Sequence, residues 1–378
     1  GLDGDVFLIT ARAFDEDFAK EVVAFSNLKG GKIIIGVEDD SAISGLVNSN
    51  SEEWVMNICR MLVSPGVIPY YEEIQLDNDK RVAVVHVDMG FSKPYFVKRG
   101  ERRTYYIRVG STSREATREE LGRLFQESGI YHYDVAPIPQ TTFDDLDKDK
   151  LGDYFSKLKF IDIQTVTNED LILKLINADI MKSTDYGKVA TVGGLLIFGK
   201  KPEKALQQSK ITFVHFKGNE ITADLLDKKE ITGTLPELID ETVVVIKINL
   251  NVPSTIKGLK RIEYAKLPDE VLREAVTNAV AHRDYSIFGA NIRIFMFDNR
   301  IEFRSPGKLP NTVTIEKMKE GYSVARNPFL VKYLQNYQYI DQIGSGIPMI
   351  LKQMKIMGVQ EPILKEEGEE FILVLFTE

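Results

Sequence analysis

The chain is poor in the residues that build disulfides and metal sites, with one cysteine, Cys59, and four scattered histidines in 378 residues. A lone cysteine excludes an internal disulfide and fits a reducing cytoplasm. The same scarcity argues against a structural zinc site. No run of about 18 apolar residues occurs, which argues against a membrane-spanning helix. There is no internal repeat and no low-complexity tract. The opening Gly1-Leu2-Asp3-Gly4-Asp5 lacks an initiator methionine and a signal-peptide pattern, so a processed or engineered chain is expected. Positive charge is not in overall excess either: the net charge of −8 excludes a protein coated in cations.

What is present is an ordinary globular composition and enough length for two cores. The charge is unevenly spread. Between Ser92 and Arg123 nine basic residues face four acids, a local +5, which leaves −13 for the remainder. Such a patch on an acidic protein attracts phosphate backbones selectively. Its alternative use is to solvate a surface strand and helix.

Periodicity predicts a helix over 14–28, a buried strand over 32–37, and a hairpin through 38–47. A helix over 54–63 and strands at 73–76 and 81–87 follow. A second hairpin is expected from 94–97 with 104–109, then a helix opened by the capping box Thr117-Arg118-Glu119-Glu120. Pro137, Pro139 and an acidic run mark a boundary. Beyond it, 151–182 reads as largely helical, 190–199 and 211–216 as strands, and 235–248 as a helix. A strand is expected over 261–267. The pair 291–297 and 300–304 turns at Asp298-Asn299, helices cover 327–335 and 347–357, and a strand closes at 371–377.

The most informative stretch runs from Leu267 to Gly307. Glu274, Asn278 and His282 are spaced four apart on a helix pattern, so they share one face. Val271, Leu272, Ala275, Val276, Ala279 and Val280 supply the buried side. Two decoys fail. Gly194 to Lys201 nearly matches a phosphate-binding loop, but Lys201 replaces the magnesium-holding Ser/Thr, and the run Leu195-Leu196-Ile197-Phe198 reads as a buried strand. His282-Arg283-Asp284 resembles a kinase catalytic loop, yet position 289 is Gly and no Asp-Phe-Gly follows.

Val23 to Asn27, Gly30 to Asp40, Gly45-Leu46, Lys93-Pro94-Tyr95 and Tyr106 to Thr112 together resemble the divergent AlbA-type DNA-binding domain also found in Schlafen proteins. The resemblance spans about residues 14–128 and implies nucleic-acid binding, DNA being the expected partner. Lys98, Arg99, Arg102, Arg103, Arg108, Ser111, Thr112 and Arg114 are the candidate contacts, because guanidinium, hydroxyl and backbone donors suit phosphate oxygens. Tyr105 and Tyr106 are candidates for stacking on bases or for packing on the sheet. The acids that some Schlafen relatives use for RNA cleavage are missing from Gly4 to Arg12. Asp39 and Asp40 alone make a poor two-metal site, so nuclease activity is not expected.

Gly193 to Lys200, the Glu274/Asn278/His282 helix, Ile301 to Gly307, Ala325 to Pro328 and Gly344 to Ile347 resemble the region that follows this domain in transcriptional regulators labelled RecG-like. Without a phosphate-binding loop no helicase core is expected. This half is instead similar to the GHKL ATPase fold of gyrase and histidine kinases. That resemblance implies ATP and Mg2+ as cofactors, Glu274 as general base and Asn278 as magnesium ligand. It also implies a nucleotide site completed by His282, Asp298, Gly307, Arg326, Gly344 and Gly346. The family's adenine-reading acid has no match in Arg304 to Lys308, and Asp298 is an imperfect substitute.

The expectation is therefore an α+β protein in three stretches. Residues 1–130 form an AlbA-type mixed-sheet domain, 131–205 a connector with a helical segment and strand, and 206–378 a GHKL-like α/β sandwich. Its expected role is a cytoplasmic transcriptional regulator with no membrane partner, and homo-oligomerisation is left open. An ATP-hydrolysing enzyme of GHKL type and an interaction scaffold with neither ligand are the alternatives.

Overall fold

The computed structural model describes the chain apart from residues 1–4, 12, 39, 48–49, 77–79, 91, 129–130, 160–164, 186, 251–266, 311–312, 341–343 and 378. The chain divides into two compact units, 1–131 and 132–378. Both are mixed α and β.

In the first unit, β1 (Val6–Ile9) leads to α1 (Asp15–Ser26) and β2 (Gly31–Ile35). Next come α2 (Ser51–Met61), β3 (Val63–Ser64), β4 (Tyr70–Gln75) and β5 (Arg81–Val87). Two short ribbons follow, β6 (Phe96–Arg99) with β7 (Arg102–Thr104) and β8 (Tyr106–Val109) with β9 (Thr112–Glu115), before α3 (Arg118–Glu127). The main sheet has the order β1-β2-β5-β4, with β1 parallel to β2 and the other pairs antiparallel. Acidic Asp15, Glu16 and Asp17 favour the positive end of α1. Its Phe18, Val22, Val23 and Phe25 pack on Ile33, Ile35 and Val85.

Asn27, at the end of α1, ties this core to the ribbons. Its amide donates to the carbonyls of Tyr95 (2.8 Å) and Tyr106 (2.9 Å), and its oxygen accepts from the Tyr95 N–H (2.7 Å). A buried amide with all these partners satisfied locks strand entry points far apart in sequence. Neither expected hairpin forms as drawn. Among the described residues between 38 and 47 the pairing is limited to an isolated Val37–Ile43 bridge, because β2 spends its edges on β1 and β5. Phe96–Arg99 pairs with β3 and with Arg102–Thr104, and Tyr106–Val109 instead turns back on Thr112–Glu115.

The second unit begins with α4 (Lys148–Lys159), α5 (Asn168–Asn177), the hairpin β10 (Met181–Thr184) and β11 (Gly187–Ala190), and α6 (Val192–Phe198). Then come β12 (Ile211–Phe216), β13 (Leu225–Ile231), α7 (Leu235–Leu250), α8 (Asp269–Ala281), β14 (Ile292–Met296) and β15 (Arg300–Pro306). The unit ends with α9 (Ile315–Lys319), α10 (Pro328–Asn336), α11 (Gly346–Met357), β16 (Ile363–Glu367) and β17 (Glu370–Phe376). Six strands form one mixed sheet, β13-β12-β14-β15-β17-β16, in which only β12 and β14 run parallel.

Period-two alternation separates the faces of this sheet. Phe213, Ile294, Phe303 and Leu373 join the helix-side core. Val214, Phe216, Phe295 and Phe297 cluster on the other side. There Arg300 lies 3.9 Å from the Phe297 ring centre, and Glu302 holds both Arg300 and Arg304. Leu146, Tyr154, Leu175 and Phe198, from the stretch read as a connector, sit in the same core as α7 and α8.

The strand expected over 190–199 is a helix, α6. A fully apolar run has no period to distinguish helix from strand. The Thr191 hydroxyl accepts from the Gly194 N–H (2.9 Å) and caps the helix, and a Cβ on Gly194 would overlap the Ile180 carbonyl. The strand expected over 261–267 falls outside the described residues, Leu267 apart.

Candidate functional sites

The first candidate site is a cleft in the second unit, built on α8. Asp269 and Glu270 begin this helix, and its Val271, Leu272, Ala275, Val276 and Val280 are buried. Glu274, Asn278 and His282 consequently emerge together on the other side. They line a cleft of about 1120 Å³, counting the space open to solvent. Gly307, Arg326, Gly344 and Gly346 line the same cleft. Asp298 does not join them. It stays at the β14–β15 turn, where its carboxylate accepts the Gly218 N–H at 3.0 Å.

The Asn278 amide donates to Glu274 Oε1 at 2.9 Å, which turns the amide oxygen away from the carboxylate. Glu274 itself reaches the first turn of α11. A Cβ on Gly346 would overlap its carboxylate, so glycine makes the approach feasible. Desolvation, joined by the positive Arg326, pushes the His282 pKa down to about 4, so its imidazole is neutral at pH 7.

Arg326 is held from two sides. Its guanidinium donates to Asp284 Oδ2 (3.2 Å) and to the Lys308 carbonyl. Asp284 also accepts from the Ser286 N–H (3.0 Å) and hydroxyl (2.6 Å). The Asn327 amide donates to the carbonyls of Ala281 (2.9 Å) and Arg283 (2.8 Å). The fold thus joins His282-Arg283-Asp284-Tyr285 to Arg326-Asn327. Asp284 and the lining residue Lys308 were missed as site residues. The only signal for Asp284 was its place in that tetrapeptide.

Among the described residues no group of three His, Cys, Asp or Glu could hold a metal ion. Mg2+ commonly takes one or two protein oxygens and completes its shell with phosphate and water. The Asn278 amide oxygen and the amides that open α11 suit that manner of binding.

The second candidate site lies on the ribbons of the first unit. Lys98 stands opposite Arg103, and Arg99 opposite Arg102. Like charges in register repel. On one side acids relieve the strain, since Arg99 meets Glu16 at 3.1 Å and Arg102 approaches Glu115 at 3.8 Å. Lys98 and Arg103 are exposed, and no carboxylate pairs with either among the described residues. Ser111 and Thr112 are exposed at the β8–β9 turn, where the Thr112 hydroxyl donates to the Val109 carbonyl (3.2 Å).

Arg108, expected to contact phosphate, lies inside. Its guanidinium donates to Glu21 (3.1 Å) and the Val6 carbonyl (3.0 Å) and stacks over Phe25. Its side chain is 1% exposed. Tyr105 packs between Phe96 and Phe125, and Tyr106 is half-buried.

Residues 9–117 match the Schlafen AlbA_2 family. Residues 289–375 match the HATPase_c_4 family, described as "Putative ATP-dependent DNA helicase recG C-terminal". The chain is an α+β protein with an AlbA-type domain followed by a GHKL-like, ATPase-like domain. The second match begins after α8, so Glu274, Asn278 and His282 precede it. No curated protein matches the chain. Among solved structures it is similar to the DIP2311 protein of Corynebacterium diphtheriae, with 19% identity over 99% of this chain and 75% of that one, at a TM-score of 0.48. It is also similar to the N-terminal domain of a RecG-related protein from Nitrosomonas europaea. There the identity is 19%, covering 30% of this chain and 84% of that one, at a TM-score of 0.24. Among the described residues no helix is long and apolar enough to cross a membrane.

In the AlbA-type domain the Arg108–Glu21 pair is structural. Burial pushes the Glu21 carboxyl up, opposed by the Ser113 hydroxyl and by Arg108. Arg108→Ala should cost about 3–5 kcal/mol in denaturant unfolding by stranding that carboxylate, whereas Arg108→Met with Glu21→Leu should cost far less. Equal losses would show that the pairing is irrelevant.

Arg114 forms a two-pronged pair with Glu120 (2.8 and 2.9 Å), and Glu120 completes the capping box with Thr117. Hydrogen bonds from Arg114, then from Thr117, hold the Glu120 carboxyl down at about 2, below its ordinary 4.5. A depressed folded value stabilises above the unfolded value and fades as pH falls toward the folded one. Thermal unfolding of Glu120→Gln should therefore vary less with pH than wild type between about 4.5 and about 2. Parallel profiles would contradict this role.

Proposed function

We propose that this protein is a nucleic-acid-binding transcriptional regulator whose GHKL-like domain binds ATP with Mg2+. The observation that carries the first half is the Lys98–Arg103 pair. Two cations are held side by side on a paired ribbon, and no acid among the described residues relieves them. A phosphate backbone removes that repulsion. Arg99 and Arg102, partly neutralised by Glu16 and Glu115, sit at the margin of this contact, and Arg114 is committed to Glu120. DNA is the favoured partner, since the AlbA resemblance points that way.

Fluorescence polarisation with a labelled oligonucleotide tests this reading. Affinity should fall steeply from ~50 mM salt upward, with a log–log slope of about 0.7–0.9 per phosphate contacted. Lys98→Glu with Arg103→Glu should abolish most of the binding. Binding that ignores salt, or survives the double charge reversal, would exclude a phosphate-led interface.

The second half rests on Glu274 and Asn278 facing one cleft with Arg326 and the start of α11. In that arrangement the Asn278 amide oxygen would hold Mg2+ beside the phosphates. The ion would neutralise charge on the phosphates, while Glu274 is positioned to orient water. The neutral His282 adds hydrogen bonding without a further charge. MgATP at about 100 times its dissociation constant should stabilise the chain by about 2.7 kcal/mol. If ATP is also hydrolysed, Glu274→Ala should lose phosphate release while keeping the melting shift. Equal release from both proteins would remove Glu274 from the role of base.

A further inference from the structure

On the outer face of the β6–β7 ribbon, the exposed pair Lys98 and Arg103 continues into a row of rings. The Arg103 guanidinium lies 5.3 Å from the centre of Phe96. Phe96 is 5.4 Å from Tyr105, which is 6.4 Å from Phe125. All three rings are only half-buried. We propose that this face is a stacking platform for single-stranded nucleic acid, with Lys98 and Arg103 holding the backbone and the ring row meeting the bases. The proposal rests on the reading that this ribbon binds nucleic acid, and it names the form of the ligand.

Two physical arguments favour a single strand. Residues opposite each other on a ribbon present side chains about 5 Å apart. Such a pair fits one backbone, and a ribbon entering a duplex's major groove would need polar groups for the base edges where this face carries mainly rings. In addition, a duplex keeps its base faces stacked on one another, so an aromatic row has nothing to bind there. An unpaired strand offers those faces freely, and flat guanidinium and phenyl groups receive them with little regard to sequence. Cations and rings on the same strand face serve both parts of one nucleotide.

The test uses the full chain, labelled (dT)20, and the matching (dT)20·(dA)20 duplex, read by fluorescence polarisation at ~100 mM salt. The single strand should bind at least about tenfold more tightly than the duplex. Phe96→Leu keeps the apolar volume but removes the ring. It should weaken (dT)20 about tenfold and leave the duplex unchanged. Should that variant melt early, Arg103→Lys reads the same row at an exposed position. It keeps the charge, loses the flat guanidinium, and should weaken only the single strand. Lys98→Gln with Arg103→Gln should weaken both probes and lower the single-strand salt slope by about 1.4.

Duplex binding as tight as (dT)20, or ring and guanidinium variants that leave (dT)20 unaffected, would overturn the platform while leaving the ribbon as a nucleic-acid contact. Indifference of both probes to the Gln pair would instead overturn the nucleic-acid reading itself. A parallel arm with (rU)20 separates a DNA strand from an RNA strand on the same surface.

Discussion

Burying a guanidinium is the constraint on which both units depend. Arginine cannot shed its charge by deprotonation, so a buried one must find anions or carbonyls to face. Arg108 finds Glu21 and the Val6 carbonyl, and thereby pins the β8–β9 ribbon to α1 and β1. Arg326 finds Asp284 and the Lys308 carbonyl, and in doing so fixes one wall of the cleft. Arg283, fully buried, donates to the carbonyls of Asp284, Ile287 and Ala290. Arg108 and Arg326 thereby join segments distant in sequence, whereas Arg283 braces its own loop. Arg103, by contrast, stays exposed beside Lys98.

The cleft follows from a second constraint, that α8 must satisfy two surroundings at once. Its Val and Leu residues pack into a core shared with α7 and the sheet, which leaves one face for polar groups. The helical repeat then places Glu274 and Asn278 one turn apart, close enough for a direct hydrogen bond. Gly346 lets α11 approach that pair. Any larger residue there would push the Glu274 carboxylate out of position. The same packing that stabilises the unit therefore sets the spacing on which the proposed chemistry relies.

Much of the fold was legible because period and punctuation agreed. The α1, α8, α10 and α11 helices, the pair β14–β15 and the capping box at Thr117 all carried local signals strong enough to place them within a few residues. Local signal failed where burial was complete or pairing was remote. The run Leu195 to Phe198 is apolar throughout, so only its Thr191 cap and its packing made it helical. The edge strand β13 carries four consecutive charged residues and no alternation of apolar and polar, so no local pattern announced it. Asn27 looked like the end of a helix, and nothing nearby announced that it ties together two strand entries about seventy and eighty residues on.

The sequence by itself determined the mixed α and β character, the polar stripe on one helix, and the local excess of cations. Those properties depend on composition and on spacing within a single element. Only the tertiary structure decided which charges face outward. Arg108 and Lys98 look equally basic along the chain, yet one is enclosed by Glu21 and aromatic rings while the other remains exposed beside Arg103. It likewise brought Arg326, Gly344 and Gly346 to Glu274 and left Asp298 at its turn. The reason is that a side chain's surroundings are set by partners many residues away, and no local pattern encodes which partners those will be.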